Sequence, residues 1–134
     1  MSNIQELSEL FDNASSDRER YNISEEILNY LENYGGCINN VNYGDWLGVA
    51  YSNAPDERSA YEIALRITNY LEQNGGWIKC GSTTCYYNDW LGILIENAES
   101  VGVDRLPIIK RICGYLAQNG GYVNGQDLDW WKNV

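Results

Sequence analysis

The chain has 134 residues, 44% hydrophobic and 21% charged, which is the composition of one globular domain and not of a disordered segment. Nineteen acidic against nine basic residues leave a net charge of −10, arguing against nucleic acid or anionic lipid as a direct partner, since both need a surplus of Lys and Arg. There is no histidine, so Ser-His-Asp and Cys-His catalysis, His-ligated zinc and imidazole proton transfer are excluded.

The first residues, Met1-Ser-Asn-Ile-Gln-Glu-Leu7, have neither the basic nor the apolar region of a secretion signal, and no apolar run approaches the ~18 residues of a membrane span. The expectation is a cytoplasmic protein, in a bacterial host if phage-encoded, without membrane contact. In that compartment Cys37, Cys80, Cys85 and Cys113 are expected to be ordinary reduced thiols, with a Cys80 to Cys85 disulfide as the main alternative. No spacing of these cysteines makes a zinc half-site, and no metal or cofactor is expected.

Leu7-Ser-Glu-Leu-Phe-Asp-Asn-Ala14 reads as a degenerate copy of a helix that recurs before Ser52-Asn-Ala54 and Glu96-Asn-Ala98; we call it helix A. A second helix, B, ends in Asn29-Tyr-Leu-Glu-Asn-Tyr-Gly-Gly36, in Asn69-Tyr-Leu-Glu-Gln-Asn-Gly-Gly76 and in Gly114-Tyr-Leu-Ala-Gln-Asn-Gly-Gly121, at offsets of 40 and 45. Its apolar stripe repeats as Ile23, Ile63, Ile108; Ile27, Ile67, Ile112; Tyr30, Tyr70, Tyr115; and Leu31, Leu71, Leu116. Ser24, Ser59 and Asp104 are the expected starts of helix B, and Gly35, Gly75 and Gly120 its left-handed caps. Asp45-Trp-Leu-Gly48, Asp89-Trp-Leu-Gly92 and Asp129-Trp130-Trp131 interleave with these ends, the aspartates reading as caps of helix A. Short β-type segments after the glycines, Cys37-Ile38, Trp77-Ile78 and Tyr122-Val123, fit strand pairs or extended connectors, the second lengthened by the Cys80 to Cys85 insertion.

The expected fold is mainly α: about three tandem two-helix repeats of 40–45 residues, approximately 1–36, 37–76 and 77–121, with 122–134 a terminal partial unit. The period resembles that of HEAT-type helical repeats; tandem winged-helix-like units are the alternative. In either, the recurring Tyr30, Tyr70, Tyr115, Trp46, Trp90 and Trp130 are expected in the core, and Tyr34, Tyr43, Tyr51, Tyr86, Tyr87 and Trp131 at an interface.

Charge is distributed unevenly. Residues 1–62 hold twelve acids against three bases, whereas residues 63–134 hold seven against six. Along helix B the position of Glu26 becomes Arg66 and then Arg111. Glu6, Glu9, Asp12, Asp17, Glu19, Glu25, Glu26, Glu32, Asp56, Glu57 and Glu62 are therefore the candidate partner-binding carboxylates, with Tyr34, Tyr43 and Tyr87 as candidate aromatic contacts. Such a surface attracts a basic protein, above all one whose groove normally holds nucleic acid. In size, acidity and lack of catalytic residues the chain resembles phage and plasmid anti-CRISPR and anti-restriction proteins and bacterial immunity proteins, a likeness of type carried by no motif. The expected function is non-enzymatic: an acidic inhibitor mimicking nucleic acid on a nuclease or defence effector. A helical-repeat adaptor joining two proteins is the second reading, and a carboxylate hydrolase using Asp45, Asp89 and Asp129 the third.

Overall fold

A computed structural model describes residues 4–134; residues 1–3, part of the segment read for a secretion signal, lie outside the described residues. The chain is mainly helical, with helices α1 (Ile4–Asp12), α2 (Asp17–Tyr34), α3 (Tyr43–Ser52), α4 (Glu57–Asn74), α5 (Tyr87–Val101), α6 (Leu106–Asn119) and α7 (Leu128–Lys132). Two antiparallel hairpins join them, β1 (Cys37–Ile38) with β2 (Val41–Asn42), and β3 (Trp77–Cys80) with β4 (Thr83–Tyr86). A third hairpin is reduced to the single bridge between Val123 and Gln126. Helix A is thus α1, α3, α5 and α7, helix B is α2, α4 and α6, and each helix packs on the next in sequence.

Every helix B ends on the same backbone. Gly35, Gly75 and Gly120 have φ of 68, 71 and 71° and donate their N–H to Leu31, Leu71 and Leu116 at 2.8 Å. Their ψ of −168 to −169° differs from the left-handed helical cap the sequence suggests, and lies in a region that only glycine occupies at low cost. The second glycines, Gly36, Gly76 and Gly121, follow at φ of 82 to 84°. Hairpins rather than loose connectors come next because the tight turns have suitable residues. Asn39 and Asn40 (φ 56 and 61°) and Asn124 and Gly125 (φ 53 and 75°) supply the two positive φ of a type I′ turn, and Gly81 (φ 63°) opens the second hairpin's turn. In that hairpin Cys80 faces Thr83 and Cys85 faces Ile78.

The spacing from the double glycine fixes which tryptophan anchors each hairpin. Trp46, Trp90 and Trp131 donate their indole N–H to the carbonyls of Ile38, Ile78 and Val123 at 3.1, 3.0 and 3.1 Å. The residue equivalent to Trp46 and Trp90 is therefore Trp131, 5% exposed, and not Trp130, which is 45% exposed. Aligning Asp129 with Asp45 and Asp89 predicts the reverse, Trp130 in the core and Trp131 at an interface. Measured from the anchoring tryptophan, the helix-A caps fall four residues earlier, at Asn42, Tyr86 and Asp127, so Asp45 and Asp129 are not caps. Two residues after Trp46 and Trp90, glycine admits the following hairpin: a Cβ on Gly48 would sit 3.0 Å from Ile78 and from the Lys79 carbonyl, and one on Gly92 would strike Asn124.

Helix B also begins earlier than Ser24 and Ser59 suggest. Ser16 and Asp56, 40 residues apart, cap α2 and α4 by accepting the N–H of Glu19 and Ser59. Ser24 is buried inside α2, its hydroxyl donating to the Arg20 carbonyl at 2.8 Å. Asp104 does accept a backbone bond at the start of α6, from Leu106 at 3.1 Å. The stripe of helix B supplies the core: Ile27, Leu31, Ile63, Ile67, Leu71, Ile108, Ile112 and Leu116 are buried against Trp46, Leu47, Trp90, Leu91 and Leu94.

Two stability measurements follow. Trp131→Ala should cost about 3–5 kcal/mol in urea unfolding, whereas Trp130→Ala should cost less than about 1 kcal/mol. Gly75→Val and Gly120→Val should each cost about 1–3 kcal/mol although a Cβ there meets nothing within 4 Å, because the cost is conformational alone.

Candidate interaction surface

The polar groups of the B-helix side form two copies of one constellation. In the first, the Tyr43 hydroxyl donates to Glu32 at 2.6 Å, and Arg66 donates to Glu32 at 3.0 Å and to the Tyr43 oxygen at 3.3 Å. In the second, Tyr87 donates to Glu72 at 2.7 Å, and Arg111 to Glu72 at 2.7 Å and to the Tyr87 oxygen at 3.4 Å. Each copy ties helix B of one unit to both helices of the next. Arg66 also reaches Glu25, and Arg111 reaches Asn69. The hydroxyl of Tyr43 and then Arg66 hold the Glu32 carboxyl below its ordinary range, and Tyr87 and Arg111 do the same for Glu72. Burial, then the adjoining carboxylates, pushes both phenols up.

Tyr43 and Tyr87 were expected at an interface because they were not seen to recur. They do recur, at an offset of 44, and they are half-buried links between units. Glu32 and Glu72 at 40 and Arg66 and Arg111 at 45 carry the same signal. The sign change along helix B follows from the bridge: Arg66 and Arg111 answer Glu32 and Glu72 of the preceding unit.

The eleven candidate carboxylates lie on α1, on α2 and in the first turns of α4 with its cap. Several are engaged. Glu19 accepts from Ser15, Asp17 pairs with Arg20 at 2.5 Å, Glu62 with Arg58 at 3.6 Å, and Glu25 and Glu32 with Arg66. Asp56 caps α4 and lies 3.8 Å from Arg18; the Ser59 backbone N–H holds its carboxyl below the usual range. Glu6 also has a partner interaction. Glu9, Asp12, Glu26 and Glu57 are exposed and form no ion pair with any described residue. Among the candidate aromatics Tyr34 is the most exposed, at 72%, with its ring 4.7 Å from that of Tyr30.

The sequence places Trp77 and Tyr122 in the β-type segments but does not mark them as contact residues. Both follow a double glycine, and they are 46% and 65% exposed on their hairpins. Burial raises the pKa of the Cys80 and Cys85 thiols, leaving them protonated at neutral pH, while Cys37 is exposed. Among the described residues no group of three or more His, Cys, Asp or Glu is placed to hold a metal ion, and no helix is long and apolar enough to cross a membrane. No family model, curated protein or solved structure matches the chain.

The bridges predict a specific acid response. Their carboxyl pKa values are lowered on folding, so the stabilisation is full above the ordinary value of 4.5 and is lost as pH falls through the folded value. Tyr43→Phe with Tyr87→Phe should destabilise the protein by about 0.5–1.5 kcal/mol per site at neutral pH. It should also flatten the fall in stability as pH drops below the ordinary carboxyl value of 4.5, as followed by urea midpoints. In alkylation at neutral pH, Cys37 should react well before Cys80 and Cys85.

Proposed function

We propose that the protein is a non-enzymatic acidic inhibitor that occupies the basic, nucleic-acid-binding surface of a nuclease or defence effector, acting in the cytoplasm of a bacterial host if phage-encoded. One observation carries this reading: the carboxylates of the first 62 residues outnumber the bases four to one, and Glu9, Asp12, Glu26 and Glu57 on α1, α2 and α4 are exposed with no ion pair among the described residues. Carboxylates so placed stand in for phosphates on a basic surface and speed encounter with it. In this reading the chain is one domain of tandem units, at 1–36, 37–76 and 77–121 with a partial unit after them, stacked in the HEAT-like or the winged-helix-like manner. The bridges between units give the carboxylates a rigid support. An adaptor function, or immunity against a toxin, is the second reading, and the exposure of Tyr34 favours it.

The test begins with a partner captured from bacterial lysate and then purified. Glu9, Asp12, Glu26 and Glu57 reversed to Lys should weaken its binding at least tenfold without changing helical content, and duplex DNA should compete with the wild-type protein. Reversal of Glu25 or Glu32 is not used, because both hold Arg66. A ternary complex with DNA, or indifference to the four reversals, would contradict the mimic and leave the adaptor.

A further inference from the structure

Two surface grooves are the same groove one unit apart. The first runs between α3 and the β3–β4 hairpin, has a volume of about 520 Å³ and is lined by Asp45, Val49 and Trp77 among others. The second runs between α5 and the third hairpin, measures about 430 Å³ and has Asp89, Ile93 and Tyr122 at the matching places. Asp45 and Asp89, like Val49 and Ile93, are 44 residues apart, and Trp77 and Tyr122 are 45 apart, which are offsets of the repeat itself. Each groove thus sets a carboxylate and an exposed aromatic ring beside a β-branched wall.

Both carboxylates are exposed and neither has a cationic partner among the described residues, although Asp89 also accepts the Tyr86 N–H at 2.9 Å. The rings are not needed to hold the hairpins, a task that Trp46, Trp90 and Trp131 perform from the core. A carboxylate next to the face of an aromatic ring suits a guanidinium or ammonium group, whose charge meets the carboxylate and whose stem covers the ring. The net charge of −10 adds a long-range attraction of the same sign. The first groove contains one cation, Lys79, which is exposed and without an ion pair; the position equivalent to it in the second groove is Asn124.

We propose that these two grooves receive Arg or Lys side chains from one extended basic segment of a protein partner. This rests on the basic-partner reading, but places a contact on Asp45, Trp77, Asp89 and Tyr122, outside the eleven carboxylates discussed above. An anionic partner is opposed by the carboxylate of the second groove, which holds no cation.

Titration of the isotope-labelled, full-length protein with a blocked hexa-arginine peptide at low ionic strength tests it. The indole N–H of Trp77 and the amide of Tyr122 should shift saturably. Asp45→Asn with Asp89→Asn should weaken binding at least fivefold while an amide oxygen still accepts the Tyr86 N–H, and Lys79→Gln should tighten it. Shifts confined to α1, α2 and the start of α4, with affinity unchanged in the Asn variant, would overturn the grooves and leave the basic-partner reading standing. No saturable shift at any residue would overturn the grooves and remove the electrostatic attraction on which that reading depends. Equal shifts with a hexa-glutamate peptide would show that the grooves do not select cations, and would likewise overturn the proposal.

Discussion

The positive-φ double glycine at the end of each helix B is the constraint on which the rest of the structure depends. It turns the chain out of the helix at a fixed residue and places an Ile or Val two positions later. The carbonyl of that residue takes the indole N–H of the tryptophan that begins the next helix. A buried carbonyl left without a donor costs about 1–3 kcal/mol, so the contact between hairpin base and tryptophan is under tight physical control. The contact is kept through the four-residue lengthening of the second hairpin, because antiparallel pairing adds residues in facing pairs and leaves the base of the hairpin unchanged.

This constraint also explains how much of the fold was legible in the sequence. Alternation of two helices, the apolar stripe of helix B and the closing glycines follow from spacings of three, four and about forty, and the structure bears them out. Helix starts were legible only in part. Ser24 and Ser59 have the residue types of a cap, but caps are set by which side chain meets a free N–H, and Ser16 and Asp56 do so first. Trp130 and Trp131 exchange places because aspartate is the wrong residue to align on, whereas the buried indole bond to Val123 aligns on the glycine. The turn asparagines, Asn39, Asn40 and Asn124, were a readable hairpin signal that the short strands concealed.

The polar surface was less legible than the core because charge has meaning only in pairs. Counted singly, Glu25 and Glu32 belong to an acidic face; in three dimensions they are spent on Arg66, and a reader of the repeat recovers this only by noting that Glu32, Tyr43 and Arg66 recur together as Glu72, Tyr87 and Arg111. The bridges join exposed carboxylates to part-buried Arg and Tyr side chains through several hydrogen bonds each, and hydrogen bonds to charged groups are stronger than neutral ones. Of the eleven candidate carboxylates, Glu9, Asp12, Glu26 and Glu57 have no ion pair among the described residues, a smaller set than a count of single charges suggests.

The claim that these carboxylates serve to meet a basic, nucleic-acid-binding protein is tested most directly by the rate of association with that protein as ionic strength is raised. Electrostatic steering predicts a steep fall in the association rate constant, with a much smaller change in dissociation, as the screening length shrinks from about 10 Å at 0.1 M salt to about 3 Å at 1 M. An association rate constant that stays flat over that range would contradict the account.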